Sequence, residues 1–229
     1  MSKVVHPYAH RLVTLRDWKS RWFGAKKYKT LLQSDVIIRE FLTKKLRGFY
    51  ISRIEIERNA KSTKIMVYTS RPGMIIGRSG EGVTNLKAEL VSTLKKKGIA
   101  IPEDFKFDII EVTNPDADAA IVACSIAEGL EKRLPYRRVI KQAIEKVMSA
   151  RGVKGARIYL GGRLAGAEIA RSEQIKRGSI PLQTLRSDVD FAREKAHMSY
   201  GDIGIKVWIY RGEIFSTPNP AVNRNDNNK

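Results

Sequence analysis

Hydrophobic positions along the chain change period several times, and each change marks an element. Val36, Ile37, Ile38, Phe41, Leu42 and Leu46 recur at helical spacing. Ser34 stands ahead of them as a plausible N-cap, and the pattern stops before Gly48. Ile51-Ser52-Arg53-Ile54-Glu55-Ile56-Glu57-Arg58 then alternates apolar with polar, the mark of a strand with one buried face. Asn59-Ala60-Lys61-Ser62 turns the chain into a second strand ending at Thr69, where Ile65, Val67, Tyr68 and Thr69 supply β-branched and aromatic residues. After a glycine-rich stretch, Val83, Leu86, Leu90 and Leu94 return to helical spacing as far as Lys95-Lys96-Lys97-Gly98, whose ammonium groups suit the negative end of a helix dipole. Pro102 precedes a third strand pattern from Phe105 to Val112. Helix, strand, strand, glycine loop, helix and strand make a unit of ordinary domain size.

A second unit follows. Asn114-Pro115-Asp116 breaks the chain and starts a helix carrying Ile121, Ile126, Leu130 and Leu134, which Pro135 ends. Another helix has Val139, Ile140, Ala143, Ile144, Val147 and Met148 as its buried stripe. Strand patterns at Ala156–Leu160 and Leu164–Ile169 flank Gly161-Gly162-Arg163, a hairpin signal. Two more cover Leu182–Phe191 and Ile205–Tyr210, with Tyr200-Gly201-Asp202-Ile203-Gly204 as the turn between them. The residues predict an α+β protein with a basic N-terminal arm over 1–16, a first domain over 17–112, a second α+β domain over 113–213, two helices packed on a sheet, and a tail over 214–229. The Pro, Asn and Asp content from Ser216 onward predicts that the tail is disordered. No internal repeat is evident.

The glycine-rich stretch is Arg71-Pro72-Gly73-Met74-Ile75-Ile76-Gly77-Arg78-Ser79-Gly80-Glu81-Gly82-Val83. Gly77-Arg78-Ser79-Gly80 fits the GXXG loop of a KH domain, where positions without side chains let the backbone approach nucleotides closely and a basic residue faces phosphate. An isolated GXXG is more often a simple glycine turn with no ligand, because two fixed residues in four match by chance in many chains. A P-loop needs Gly-Lys followed by Ser or Thr, and the sequence contains neither. A nucleophile elbow needs glycine two residues after its serine, where Ser79 has Glu81.

Charge sharpens this picture. Across 229 residues, 43 Lys and Arg face 24 Asp and Glu, a net charge of +19 that attracts a polyanion. Nucleic acid is the expected partner. No apolar run reaches the ~20 residues needed to span a membrane. The N-terminus lacks the apolar centre of a signal peptide, so a cytoplasmic location is expected. The single cysteine, Cys124, lies among Ala and Ile and is expected to be buried, and His6, His10 and His197 are too dispersed for a metal site. No catalytic residue, cofactor, metal or small-molecule substrate is expected.

Basic residues cluster in two places. Lys3, Arg11, Arg16, Lys19, Arg21, Lys26, Lys27 and Lys29 share the first 33 residues with Trp18, Trp22, Phe23 and a single acid, Asp17. The segment is either a solvated arm or, given its aromatics, one that docks on RNA or on the protein's own fold. Lys132, Arg133, Arg137, Arg138 and Lys141 form the second cluster, and at ~100° per residue the last three point away from their helix's apolar stripe. Cations at a helix N-terminus oppose its dipole, and the nearby Glu128 and Glu131 are too few to neutralise them, which favours a phosphate-facing role. Arg163, Arg171, Lys176 and Arg177 are either further RNA contacts or ordinary surface charge.

With these residues assembled, the chain resembles, from its start to about residue 213, bacterial small-subunit ribosomal proteins of the S-three family. The runs that carry the resemblance are Lys3-Val4-Val5-His6-Pro7, Ser52-Arg53-Ile54-Glu55-Ile56-Glu57-Arg58, the glycine-rich stretch and Tyr136-Arg137-Arg138-Val139-Ile140-Lys141. They continue with Gly162-Arg163-Leu164-Ala165-Gly166-Ala167-Glu168-Ile169-Ala170-Arg171 and Ile203-Gly204-Ile205-Lys206-Val207-Trp208-Ile209. The resemblance implies a type II KH domain, a three-stranded sheet with helices on one face, followed by an α+β domain. It implies binding of small-subunit ribosomal RNA in the subunit head among neighbouring proteins, and of messenger RNA beside the channel through which it enters. Residues matching Arg137, Arg138 and Lys141 line that channel in the family and help unwind structured messenger. Two features depart from the family: its loop commonly has two basic residues where this chain has Arg78-Ser79, and Val91–Phe105 is longer than usual. A free-standing KH protein is the alternative, and it would not need the second domain's matching runs. An RNA- or DNA-cleaving enzyme has no support, because no carboxylate cluster for paired metals and no lysine in an apolar pocket is evident.

Overall fold

The computed structural model describes residues 5–24, 27–59, 62–99 and 104–215, so Lys3, Lys26, Pro102 and the tail from Ser216 lie outside the described residues. In chain order the helices are α1 (Pro7–His10), α2 (Tyr28–Lys45), α3 (Pro72–Ile76), α4 (Glu81–Lys96), α5 (Ala119–Glu131) and α6 (Tyr136–Ser149). The strands are β1 (Ser20–Arg21), β2 (Ile51–Arg58), β3 (Ser62–Thr69), β4 (Asp104–Glu111), β5 (Gly155–Gly162), β6 (Arg171–Gly178), β7 (Ser187–Met198) and β8 (Gly201–Glu213). Two units result: Lys19–Thr113, and the residues up to Trp18 together with those from Asn114 onward.

In the first unit the sheet order is β1-β2-β3-β4, antiparallel in the middle and parallel at both sides. The expected three strands are thus joined by a fourth, the two-residue β1. Alternation along β2 and β3 sends Ile54, Ile56, Ile65 and Val67 to one face, where they meet Ile38 and Leu42 of α2 and Leu86, Leu90 and Leu94 of α4. Both long helices therefore cover the same side of the sheet.

Ser34 does not cap α2. The helix starts at Tyr28, and Ser34 Oγ donates to the Leu31 carbonyl at 2.8 Å while accepting from Arg58. Beside it Asp35, fully enclosed, accepts from Arg58 Nε at 2.8 Å and from Trp22 Nε1 at 2.9 Å. Val36, counted in the apolar pattern, is exposed, as are Tyr28 and Leu32 in the turns before it.

The second unit has an antiparallel sheet of order β6-β5-β8-β7. Its inner face carries Ile158, Leu160, Ile205, Val207 and Ile209 against Ile126, Leu130, Ile140 and Ile144 of α5 and α6. Asp118 caps α5 by accepting from the N–H groups of Ala120 at 2.9 Å and Ile121 at 3.2 Å. At the other end Arg133 N–H reaches the Leu130 carbonyl and Leu134 N–H the Gly129 carbonyl, with Arg133 left-handed at φ 59°.

Three strand expectations need correction. Leu164–Ile169 is no strand: Ala165 and Gly166 are both left-handed, at φ 56° and 79°, which breaks the extended chain, and β6 starts only at Arg171. The strand expected over Leu182–Phe191 is Ser187–Met198, and the one expected over Ile205–Tyr210 runs Gly201–Glu213. Arg193 and Lys195 on the outer face of β7 hid its second half from a hydrophobic pattern. Cys124, expected to be buried, is only half-buried.

The described residues of the expected arm are part of this second unit. The His6 ring meets the edge of Phe191 at 4.8 Å between centroids. Arg11 is completely enclosed, with Nε donating to the Ser187 carbonyl at 2.6 Å, Nη1 to Pro7 at 3.0 Å, and Nη2 to Leu182 at 2.9 Å and Thr184 at 3.0 Å. Burial pulls its pKa down, Asp188 opposes the shift and Arg16 adds to it. A guanidinium committed to backbone carbonyls cannot meet phosphate, so Arg11 is a structural residue and not an RNA contact.

Candidate nucleic-acid interface

The GXXG loop is held from both ends. Thr69 Oγ1 donates to the Phe49 carbonyl at 2.7 Å and accepts from Arg71 N–H at 3.1 Å, fixing the exit from β3. Gly77 N–H closes α3 on the Gly73 carbonyl at 3.0 Å. Gly77 itself, at φ 69° and ψ −171°, occupies a region that is essentially open to glycine only. Ser79 at φ 53° and Gly80 at φ 79° continue the left-handed turn, and α4 begins at Glu81, whose N–H donates to the Arg78 carbonyl, with no side-chain cap from Gly80. Arg78 and Ser79 are exposed, as are the apolar Met74 and Ile76 on the approach. Arg71 lies over the Tyr50 ring at 4.5 Å. The result is an open backbone turn flanked by Arg71 and Arg78, with apolar side chains next to it, fit for phosphate and base together.

Gly82 is the residue that sequence reasoning passed over. A Cβ there would sit 2.4 Å from the Ile75 carbonyl oxygen and 2.9 Å from that of Ile76, so α3 and α4 touch through this position. Its helical placement was the available signal, because glycine inside a helix is unfavourable unless something needs the space. Gly82→Ala is expected to destabilise the first unit by about 1–3 kcal/mol through overpacking and to disturb the loop. Urea unfolding followed in the Lys19–Thr113 unit checks it, and an unchanged midpoint would contradict the contact.

On α6 the first turn holds no acid, and Pro135 provides no side-chain cap. Arg137, Arg138 and Lys141 are all exposed. Arg137 meets Glu173 of β6 at 3.2 Å, and the Glu173 charge raises the Arg137 pKa, with Tyr136 adding to it. Glu173 is a partner that sequence spacing could not reveal, being on another strand. Among the described residues Arg138 and Lys141 meet no carboxylate. Lys132 pairs with Glu128 at 2.5 Å, and Arg133 projects from the left-handed residue that ends α5.

The other candidate cations divide by partner. Arg16 pairs with Asp188 at 2.5 Å, and Arg21 with Glu55 at 2.9 Å and Glu57 at 2.7 Å. Arg163 Nε donates to the Ala167 carbonyl at 2.9 Å and holds its own loop. Arg177 lies 3.5 Å from Glu145. Lys19, Lys27, Arg171 and Lys176 are exposed, while Lys3 and Lys26 fall outside the described residues. Among the described residues no cluster of His, Cys, Asp and Glu could hold a metal ion, and no helix is long and apolar enough to cross a membrane.

A family model described as KH domain matches residues 37–117, and one described as Ribosomal protein S3, C-terminal domain, matches residues 126–209. The chain is 45% identical over 215 residues to small ribosomal subunit protein uS3 of Clostridium botulinum strain 657, covering 93% of both chains. The chain belongs to the uS3 family. Two further uS3 relatives, from Clostridium novyi and Clostridium acetobutylicum, are 43% and 44% identical over 218 residues, covering 95% of this chain and 96% and 95% of theirs. The fold is accordingly a KH domain followed by an S3 C-terminal domain, each mixing helices and sheet, and the family is a structural, non-enzymatic one.

Proposed function

We propose that this chain is a structural constituent of the small ribosomal subunit in the cytoplasm, bound to small-subunit ribosomal RNA and neighbouring head proteins. In this reading the Gly77-Arg78-Ser79-Gly80 loop binds an RNA backbone. Arg137, Arg138 and Lys141, with Lys132 and Arg133, line the channel through which messenger RNA enters. The observation that carries the channel reading is the pair Arg138 and Lys141, exposed near the N-terminal end of α6 without a carboxylate partner among the described residues. Helix stability does not favour cations there, whereas a polyanion passing the helix does. The mechanism is passive: translocation supplies the work, and the cations hold separated strands by their phosphates.

Small subunits carrying Arg137→Ala, Arg138→Ala and Lys141→Ala together are expected to assemble normally and to slow several-fold on messengers with a stable hairpin. Unstructured messenger should be translated at the parent rate, and the unfolding midpoint of the purified chain should not fall. Equal slowing on both messengers would count against the channel role. Migration of the protein away from small subunits on a sucrose gradient would count against the ribosomal reading as a whole.

A further inference from the structure

The outer face of the second unit's sheet carries chemistry that neither the loop nor α6 accounts for. Cross-strand register places Lys176, Arg157, Trp208 and Phe191 in one row across the four strands. Two residues further along lie Gln174, Tyr159, Lys206 and Arg193, and Lys195 continues β7 beyond them. Period-two alternation puts all of these on the side opposite the apolar core. His6, Ile180 and Leu182 cover the Phe191–Trp208 end. The remainder is open, with Lys176, Arg193, Lys195 and Lys206 exposed and Tyr159 half-buried among them.

The face is built from cations over rings. Arg157 lies 4.9 Å from the Trp208 ring, Lys206 is 5.5 Å from the Tyr159 ring, and Arg193 is 5.9 Å from Phe191. Arg157 is oriented by the neutral side-chain oxygen of Gln174, at 2.5 Å from Nη2. Lys195 lies 3.9 Å from Asp202, but Lys176, Arg157, Arg193 and Lys206 meet no carboxylate among the described residues.

The outer face of the first unit's sheet is the internal comparison. Arg53 pairs with Glu55 at 2.7 Å, Lys64 with Asp108 at 3.0 Å and Lys106 with Asp104 at 3.3 Å. The Asp108 hydrogen bond raises the Lys64 pKa against a smaller effect of burial. One four-stranded face of this protein is thus neutralised from within, and the other leaves its positive charge for something outside.

We propose that the open face formed by Lys176, Arg157, Tyr159, Lys206 and Arg193 binds an unpaired RNA segment, separately from the GXXG loop and α6. The cations take successive phosphates, and Tyr159 offers a ring on which a base stacks once Lys206 swings to the backbone. Charge complementarity selects a polyanion as the occupant, and the ring among the cations selects unpaired bases over a duplex, whose bases are already stacked.

The test is photocrosslinking of the full chain to an oligouridine containing 4-thiouridine, with crosslinked peptides mapped by mass spectrometry. Crosslinks are expected on the β5 and β8 peptides that hold Tyr159 and Lys206. They should vanish in the variant Lys176→Gln, Arg193→Gln, Lys206→Gln and persist in Lys95→Gln, Lys96→Gln, Lys97→Gln, which removes the same charge from the end of α4. The face variant should also flatten the dependence of log affinity on log salt by about 2, at roughly 0.7 per lost phosphate contact on a single strand. Tyr159→Leu keeps every charge and should weaken binding about 5-fold or more. Equal losses in the two glutamine variants, parent-like binding by Tyr159→Leu, or crosslinks in intact small subunits joining these strands to protein instead of RNA would each overturn the proposal.

Discussion

Arg11→Ala is expected to destabilise the second unit by about 3 kcal/mol or more, because several charge-assisted hydrogen bonds, each worth about 1.5–3 kcal/mol, are lost together. The guanidinium gathers carbonyls from Pro7, Leu182, Thr184 and Ser187, groups that belong to α1, the 181–186 turn and the start of β7. Without it those carbonyls lose a charged donor, the Thr184 carbonyl keeping the Ser187 N–H at 3.3 Å, and each buried group left unsatisfied costs about 1–3 kcal/mol. Arg11→Lys should recover little, because an ammonium cannot present the planar fork that reaches several carbonyls at once. Amide hydrogen exchange under increasing urea, read at β7 and β8, is the measurement. Exchange within ~0.5 kcal/mol of the parent, the usual range for a surface substitution, would show that Arg11 does not hold this segment.

Asp35→Ala should have an effect of similar size in the first unit. Asp35 accepts from Arg58 and Trp22 at the junction of α2 with β2, and the side chains of Asp35 and Arg58 are only 3% and 9% exposed. Removing the carboxylate strands a buried guanidinium and an indole N–H, for an expected loss of about 3–5 kcal/mol. The double variant Asp35→Leu, Arg58→Met separates this account from simple loss of packing. It removes both buried charges and should lose far less than Asp35→Ala alone, because apolar replacement of a buried pair is often neutral. A double variant as unstable as the single one would falsify the stranded-charge explanation. Unfolding followed by exchange at β2 and β3 reads both.

Neither side chain declared its role in the sequence. Arg11 reads as one cation among many in a basic segment, and Asp35 as a polar position inside a helical pattern. Their partners lie 170 to 176 residues away in the case of Arg11 and the 181–187 segment, and 23 away in the case of Asp35 and Arg58. No local periodicity encodes such a distance. Gly82 was visible as a glycine in a helix, but the carbonyls of Ile75 and Ile76 that require it appear only once α3 and α4 have packed.

What the sequence determined by itself was whatever depends on neighbours along the chain. Period-two alternation set β2, β-branched and aromatic residues set β3, helical spacing set α4, α5 and α6, and Gly77 and Gly80 marked the loop where the backbone turns left-handed. Net charge named a polyanion as the partner, and runs of matching residues named the family. Tertiary structure decided which charges remain available to that partner. Arg11 is enclosed by carbonyls and Arg16 and Arg21 are paired with carboxylates brought to them by folding, while Arg138, Lys141, Lys176, Arg193 and Lys206 are left facing outward. The physical reason is that pairing between charges is set by distance in space and by desolvation, and both come into being only when strands and helices distant in sequence are packed together.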